Sequence, residues 1–259
     1  MPYTRRSGLR IHYRVAGKGP PLVLVHGYTS SGWTNWVAPG WVEFLSARHT
    51  LLVPDLRGHG LSQKPYSTAA YTVRSLAGDV LAVMDREGFE RSPIFGYSMG
   101  GMVALELLLS HPGRIEAAII GGMGSYFPRG RGRFSLERQP AASTAPRRGP
   151  VELARFLGGY FARFDPIALD RVFRGVFRGN QPVDPARLHE VHAPVLVAAG
   201  TRDPFFAPAR DLAAAIPGAR FLPLPREGHL SAIRNPLLRA EVAAFLERIA
   251  GQVERPDPA

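Results

Sequence analysis

The stretch Gly96-Tyr97-Ser98-Met99-Gly100-Gly101 sets a serine between two glycines in the pattern G-x-S-x-G. A serine hydroxyl is a weak nucleophile until a neighbouring base takes its proton. Glycine on either side removes the Cβ atoms that would collide across a sharp bend. Such a bend exposes the hydroxyl where a helix begins, and backbone N–H groups there favour a developing oxyanion. The chemistry in view is nucleophilic acyl transfer. Serine is also a good N-cap, so the same residues suit an ordinary capped helix. A base and an orienting acid must decide between the two.

Both occur further along the chain. Asp203 follows the apolar run Ala193–Gly200, within Thr201-Arg202-Asp203-Pro204, and His229 follows Ala219–Leu224, within Glu227-Gly228-His229-Leu230. Taken singly, Asp203 suits a turn before proline and His229 a surface loop. Taken together, in the order Ser, Asp, His, each lies just past the carboxyl end of a strand pattern. In an open α/β sheet that is where the ligand crevice forms.

The elements that must position these residues alternate. Arg10 to Val15 reads as an edge strand of an antiparallel hairpin, with Ile11, Tyr13 and Val15 on one face. Short apolar runs at 23–25, 51–53, 93–95, 117–120, 195–198 and 221–224 read as buried strands. Helical patterns fall between them at about 36–46, 73–88, 99–110, 207–215 and 236–250. Strands that are apolar throughout, alternating with helices, predict an α/β fold with a mostly parallel sheet covered on both faces. The span 123–192 is too long for a plain connection. It opens with a Gly/Pro/Arg-rich stretch and continues with helix candidates at 151–164 and 167–177. Residues 251–259 are expected to be a disordered tail.

A further run, Pro21-Leu22-Val23-Leu24-Val25, ends in His26-Gly27-Tyr28-Thr29, and Pro54-Asp55-Leu56-Arg57-Gly58-His59-Gly60-Leu61-Ser62 follows the next strand. With these motifs the chain resembles the α/β-hydrolase superfamily, of the small single-domain serine esterase type with a cap insertion. The resemblance covers roughly Leu9 to Ala250 and is weakest between about Gly124 and His192. It implies an eight-stranded, mostly parallel sheet with helices on both faces and a small helical cap. Residues 1–122 and 193–250 would form the core and 123–192 the cap. It implies Ser98 as nucleophile, His229 as base and Asp203 as the acid that orients it. The backbone N–H groups of Tyr28 and Met99 would form the oxyanion hole. By position, Tyr28, Tyr97, Phe127, Phe161, Phe205 and Leu230 would line the substrate pocket. Serine at the nucleophile position argues against the epoxide hydrolases and haloalkane dehalogenases of this fold, which use aspartate there.

Composition narrows the rest. The 259 residues are 45% hydrophobic, enough for a full core, and contain no cysteine. Lys+Arg exceed Asp+Glu by 32 to 21, for a net charge of +11, yet Lys18 and Lys64 are the only lysines. That bias toward arginine fits a compositional preference more simply than a nucleic-acid surface, and no nucleic-acid-binding module accompanies it. His189 and His192 have the wrong spacing for a helical zinc motif. No apolar run reaches about 18 residues, so no membrane span is expected. Arg5-Arg6 is followed by a charged, alternating stretch that is no secretory core, which predicts a cytoplasmic protein, monomer or homodimer. The expected reaction is hydrolysis of a small carboxylic ester of short to medium acyl chain, with no cofactor and no metal. Thioesters, lactones and C–C bonds of β-diketones use the same triad. A low-turnover receptor or a lyase also keeps this fold.

Overall fold

Side chains on both faces of the inner strands are buried, as the unbroken apolar runs require. In β3 (Pro21–Val25), Val23 and Val25 face one core cluster while Leu22 and Leu24 face the other. The two-residue side-chain period makes the same division in β4 (Thr50–Pro54), β6 (Ile115–Gly121) and β7 (Val195–Gly200). The computed structural model describes residues 2–124, 164–179 and 183–253.

The sheet has eight strands in the order β1-β2-β4-β3-β5-β6-β7-β8. The remaining four strands are β1 (Tyr3–Arg6), β2 (Leu9–Ala16), β5 (Ser92–Tyr97) and β8 (Arg220–Leu224). β2 pairs antiparallel with β1 and β4, and every other pairing is parallel. Thus β2 is an inner strand and β1 takes the edge, which corrects the expectation of an edge strand at 10–15. The polar sequence of β1 hides it from an apolar-pattern search. The tight turn that creates it is at Ser7 and Gly8, both at positive φ (49° and 78°), the pattern of a hairpin turn matched to strand twist.

One face is covered by α2 (Val73–Arg86), α3 (Met99–Ser110) and α6 (Phe206–Ala215), the other by α1 (Trp41–Ser46) and α7 (Pro236–Val253). The helix expected over 36–46 is broken. A single wide turn, Trp33–Val37, precedes α1, and Gly40 at φ 83° separates them. The last helix runs to Val253, so the first three residues of the expected tail are helical.

Within the 123–192 span, the described residues include α4 (Pro166–Val172), which passes into a wide π-type turn over Phe173–Arg178, and the short α5 (Pro185–Leu188). The candidate at 167–177 is thus α-helical only in its first half. The candidate over 151–164 lies outside the described residues except for Phe164. Asp165 caps α4 by accepting from the amides of Ile167 and Ala168. The wide turn sits close to the core: a Cβ on Gly175 would lie 2.1 Å from the carbonyl oxygen of Tyr71. Among the described residues, no helix is long and apolar enough to cross a membrane.

Candidate active site

Ser98 sits between β5 and α3 at φ 55° and ψ −117°, a conformation that non-glycine residues avoid. The bend is tight because chain segments nearly touch. A Cβ on Gly96 would lie 2.1 Å from the Gly100 carbonyl oxygen, and one on Gly100 would lie 2.1 Å from that of Val25. The Ser98 amide donates to Gly121 O on the neighbouring strand (2.8 Å). Its side chain does not cap α3. Instead Ser98 Oγ is 3.0 Å from His229 Nε2. This separates the two uses of the motif: the hydroxyl faces a base, not the helix.

Asp203 follows β7 and His229 follows β8, so the three residues hang from the carboxyl ends of β5, β7 and β8. His229 Nδ1 is 2.9 Å from Asp203 Oδ2. The other carboxylate oxygen, Oδ1, accepts the Phe205 N–H at 2.9 Å, and the Asp203 side chain is fully buried. The His229 side chain keeps 11% of its surface exposed. Its backbone is held from below, where Tyr97 Oη donates to the His229 carbonyl at 2.6 Å. Burial, then the Asp203 and Glu227 carboxylates, push the Tyr97 phenol upward, so it stays a donor.

The loop after β3 lies beside the serine. A Cβ on Gly27 would come within 3.1 Å of Ser98 Cβ. Gly27 is pinned on both sides of its peptide: its N–H donates to Asn35 Oδ1 (3.1 Å) and its carbonyl accepts from His26 Nδ1 (2.8 Å). The other His26 nitrogen, Nε2, accepts the Leu56 N–H (3.0 Å), which fixes the neutral tautomer. Burial holds this imidazole's pKa below its ordinary value. Asp55 anchors the same loop through the amide of Gly32 (2.7 Å), and its other oxygen accepts from the Leu61 amide (2.9 Å) and His12 Nδ1 (2.8 Å). Burial alone would raise this carboxyl. The bond from His12, the nearby His26 and the two amides outweigh it and bring it down to about 2. Neither the Tyr28 nor the Met99 amide is hydrogen-bonded to another described residue. Tyr28 follows Gly27, the residue packed beside Ser98, and Met99 begins α3.

The expected lining residues separate. Phe205 is buried with its ring centroid 5.3 Å from that of His229. Leu230 is 66% exposed. Tyr97 is packed in the core cluster on the α1 and α7 side, so it supports His229 rather than presenting a face to substrate. Phe127 and Phe161 lie outside the described residues. Asn35, Asp55 and His59 were not singled out for the site from sequence. Asp55 and His59 lie in a motif already visible, but Asn35 carries no local signal, because its role follows from a turn that folds it back onto Gly27. Among the described residues there is no group of three or more His, Asp or Glu side chains placed to hold a metal ion.

Residues 20–125 match the family model described as alpha/beta hydrolase fold. Among curated relatives, the soluble epoxide hydrolase of Corynebacterium sp. is 35% identical over 114 residues, covering 44% of this chain and 38% of that protein. The chain thus spans about two-fifths of the length of the first curated relatives it matches. Solved structures are matched over almost their whole length. Esterase RhEst1 from Rhodococcus sp. aligns at 27% identity and TM-score 0.75, covering 95% of this chain and 98% of that one. The enol-lactonase from Burkholderia xenovorans aligns at 26% identity and TM-score 0.69, covering 98% of this chain and 100% of that one. The eight-stranded, mostly parallel sheet and these matches show that the chain has the α/β-hydrolase fold.

Proposed function

We propose that this protein hydrolyses carboxylic esters of short to medium acyl chain through an acyl-enzyme on Ser98. The observation that carries the proposal is the continuous hydrogen-bonded row from Ser98 Oγ through His229 to buried Asp203. Its geometry suits general-base activation of a serine. His229 Nε2 takes the hydroxyl proton as Ser98 Oγ attacks the ester carbonyl carbon. Asp203 holds the ring proton on Nδ1 and stabilises the imidazolium. The amides of Tyr28 and Met99 receive the oxyanion of the tetrahedral intermediate; a single such donor is typically worth about 3 kcal/mol. His229 then protonates the leaving alcohol. Water, deprotonated by the same imidazole, releases the acid and restores Ser98.

Residues 123–192 are assigned as the cap insertion, of which α4 is tied to Tyr28. Serine at the nucleophile position separates the chain from the epoxide hydrolases it matches in part. A lactone is the second reading, favoured by the similarity to an enol-lactonase over nearly both whole chains. Its chemistry is the same, the leaving alcohol staying tethered to the acyl group. The test is hydrolysis of p-nitrophenyl esters from acetate to octanoate, and of a γ-lactone series, by the wild type and Ser98→Ala. Turnover lost about a thousandfold or more in the variant supports the acyl-enzyme. Equal rates in both proteins remove Ser98 from the chemistry.

A further inference from the structure

Tyr28 is joined to the cap as well as to the site. Its hydroxyl donates to the carbonyl of Leu169 in α4 at 3.0 Å, across 141 residues of chain. That carbonyl also accepts the Phe173 N–H, and at Phe173 the helix widens from α to π geometry. Wide turns of this kind occur mostly as single π-bulges within helices, frequently at functional sites. The Tyr28 ring packs between Phe177 (centroids 5.3 Å apart), Phe173 (6.2 Å) and His59 (6.1 Å). Burial, and next the Asp170 carboxylate, push the phenol up to about 12, so it remains a donor at any working pH.

The backbone around Tyr28 is unevenly supported. On its N-terminal side Gly27 is pinned by Asn35 and His26. On its C-terminal side Thr29 sits at φ 54° and is exposed. A strained residue keeps its conformation only where surrounding contacts over-determine it. Here its neighbour Tyr28 is tied to α4 through the hydroxyl, and that part of the cap is itself anchored to the core. Tyr66 Oη donates to Asp165 Oδ2 (2.7 Å), Arg171 Nε donates to Tyr66 O (3.1 Å), and Gly175 closes onto Tyr71.

Resting on the esterase reading above, we infer that the Tyr28 hydroxyl is a positioning group: by tying the oxyanion loop to α4, it aims the Tyr28 amide at the reacting carbonyl oxygen. The cap and the oxyanion hole are then one mechanical unit, and the cap contributes to the chemical step as well as to binding. Tyr28→Phe removes only the hydroxyl. Active sites in wild type and variant are counted by stoichiometric labelling of Ser98 with a fluorophosphonate, which excludes misfolded protein. The expected result is a kcat per labelled site for p-nitrophenyl acetate about fivefold lower, the worth of one neutral hydrogen bond, with KM within twofold of wild type. Inhibition by an alkyl boronic acid, whose adduct is tetrahedral, weakens by the same factor. A merely structural hydroxyl would lower the melting temperature and leave kcat per site and boronate affinity unchanged, and that result overturns the inference. Failure of the wild type to label at all overturns the Ser98 reading and the inference with it.

Discussion

Replacing Asp203 by asparagine tests the site through a single proton. Asp203 accepts two hydrogen bonds on different oxygens, from the Phe205 N–H and from His229 Nδ1, each at 2.9 Å. In Asp203→Asn the amide oxygen must face the Phe205 N–H, because the amino group there would oppose donor to donor. The amino group therefore faces Nδ1, which must become an acceptor. The ring proton moves to Nε2, the atom 3.0 Å from Ser98 Oγ, and the base is lost. The carboxylate's attraction for the imidazolium disappears too. Two charges about 4 Å apart at an effective dielectric constant of ~20 attract by about 4 kcal/mol. With about 1 kcal/mol for the changed hydrogen bond, the loss is roughly 5 kcal/mol, or between about a thousandfold and ten-thousandfold in rate. The assay is kcat/KM on p-nitrophenyl butyrate at pH 7.5, beside a thermal melt by circular dichroism to show that the variant is folded. A folded variant within tenfold of wild type would refute the assignment of Asp203 and the tautomer argument together.

Two further outcomes follow from the packing around the site. Gly100→Ala would place a methyl 2.1 Å from the Val25 carbonyl oxygen and 2.8 Å from that of His26, so backbone must move. Overpacking costs typically 1–3 kcal/mol and this contact belongs at the upper end, so a melting temperature lower by about 8 °C is expected; an unchanged melt contradicts it. His59 is expected to weaken stability in mild acid. Burial, then the neighbouring His26, lower its pKa to about 3; Nδ1 bonds to the Arg57 carbonyl, while Nε2 is buried with no partner among the described residues. The unfolded chain takes up a proton below pH 6.5 that the folded chain refuses until about pH 3, so stability falls with pH across that window, by about 1.4 kcal/mol per unit for this group. Asp55 acts lower, its contribution being lost as pH drops from about 4 toward 2. His59→Asn should therefore flatten the decline in urea-unfolding stability between pH 6.5 and 4.5 by about 2–3 kcal/mol, and an unaltered slope would count against the assignment.

The serine bend, the strands leading to Asp203 and His229, and the two-faced burial of the sheet were legible in the sequence because each rests on local chemistry. Glycines at 96 and 100 announce a bend, and unbroken apolar runs at 22–25 and 195–199 announce strands covered on both sides. What escaped notice is set by contacts distant in sequence. Strand β1 is polar, and only its pairing with β2 makes it a strand. Asn35 reaches Gly27 because the wide turn that contains it folds the chain back. Tyr97 looked like a lining residue because it adjoins Ser98. Neighbours along a strand face opposite ways, and its ring belongs to the core beneath His229. Nothing local distinguishes the Tyr28 hydroxyl from any other phenol, since its acceptor lies 141 residues away.

The placement of His229 sets an order on assembly. β8 is the edge of the sheet and holds only β7, which in turn needs β6. The Thr201 and Arg202 amides close the end of this edge by donating to Leu224 and Glu227. The Ser98–His229 contact spans 131 residues and cannot exist until that edge has docked. A chain that has completed the serine bend still lacks the His229 partner of Ser98. During refolding, any signal that depends on this contact therefore times the arrival of the outermost strand, whereas tryptophan fluorescence from buried Trp36, packed against Phe95 at the middle of the sheet, times the centre.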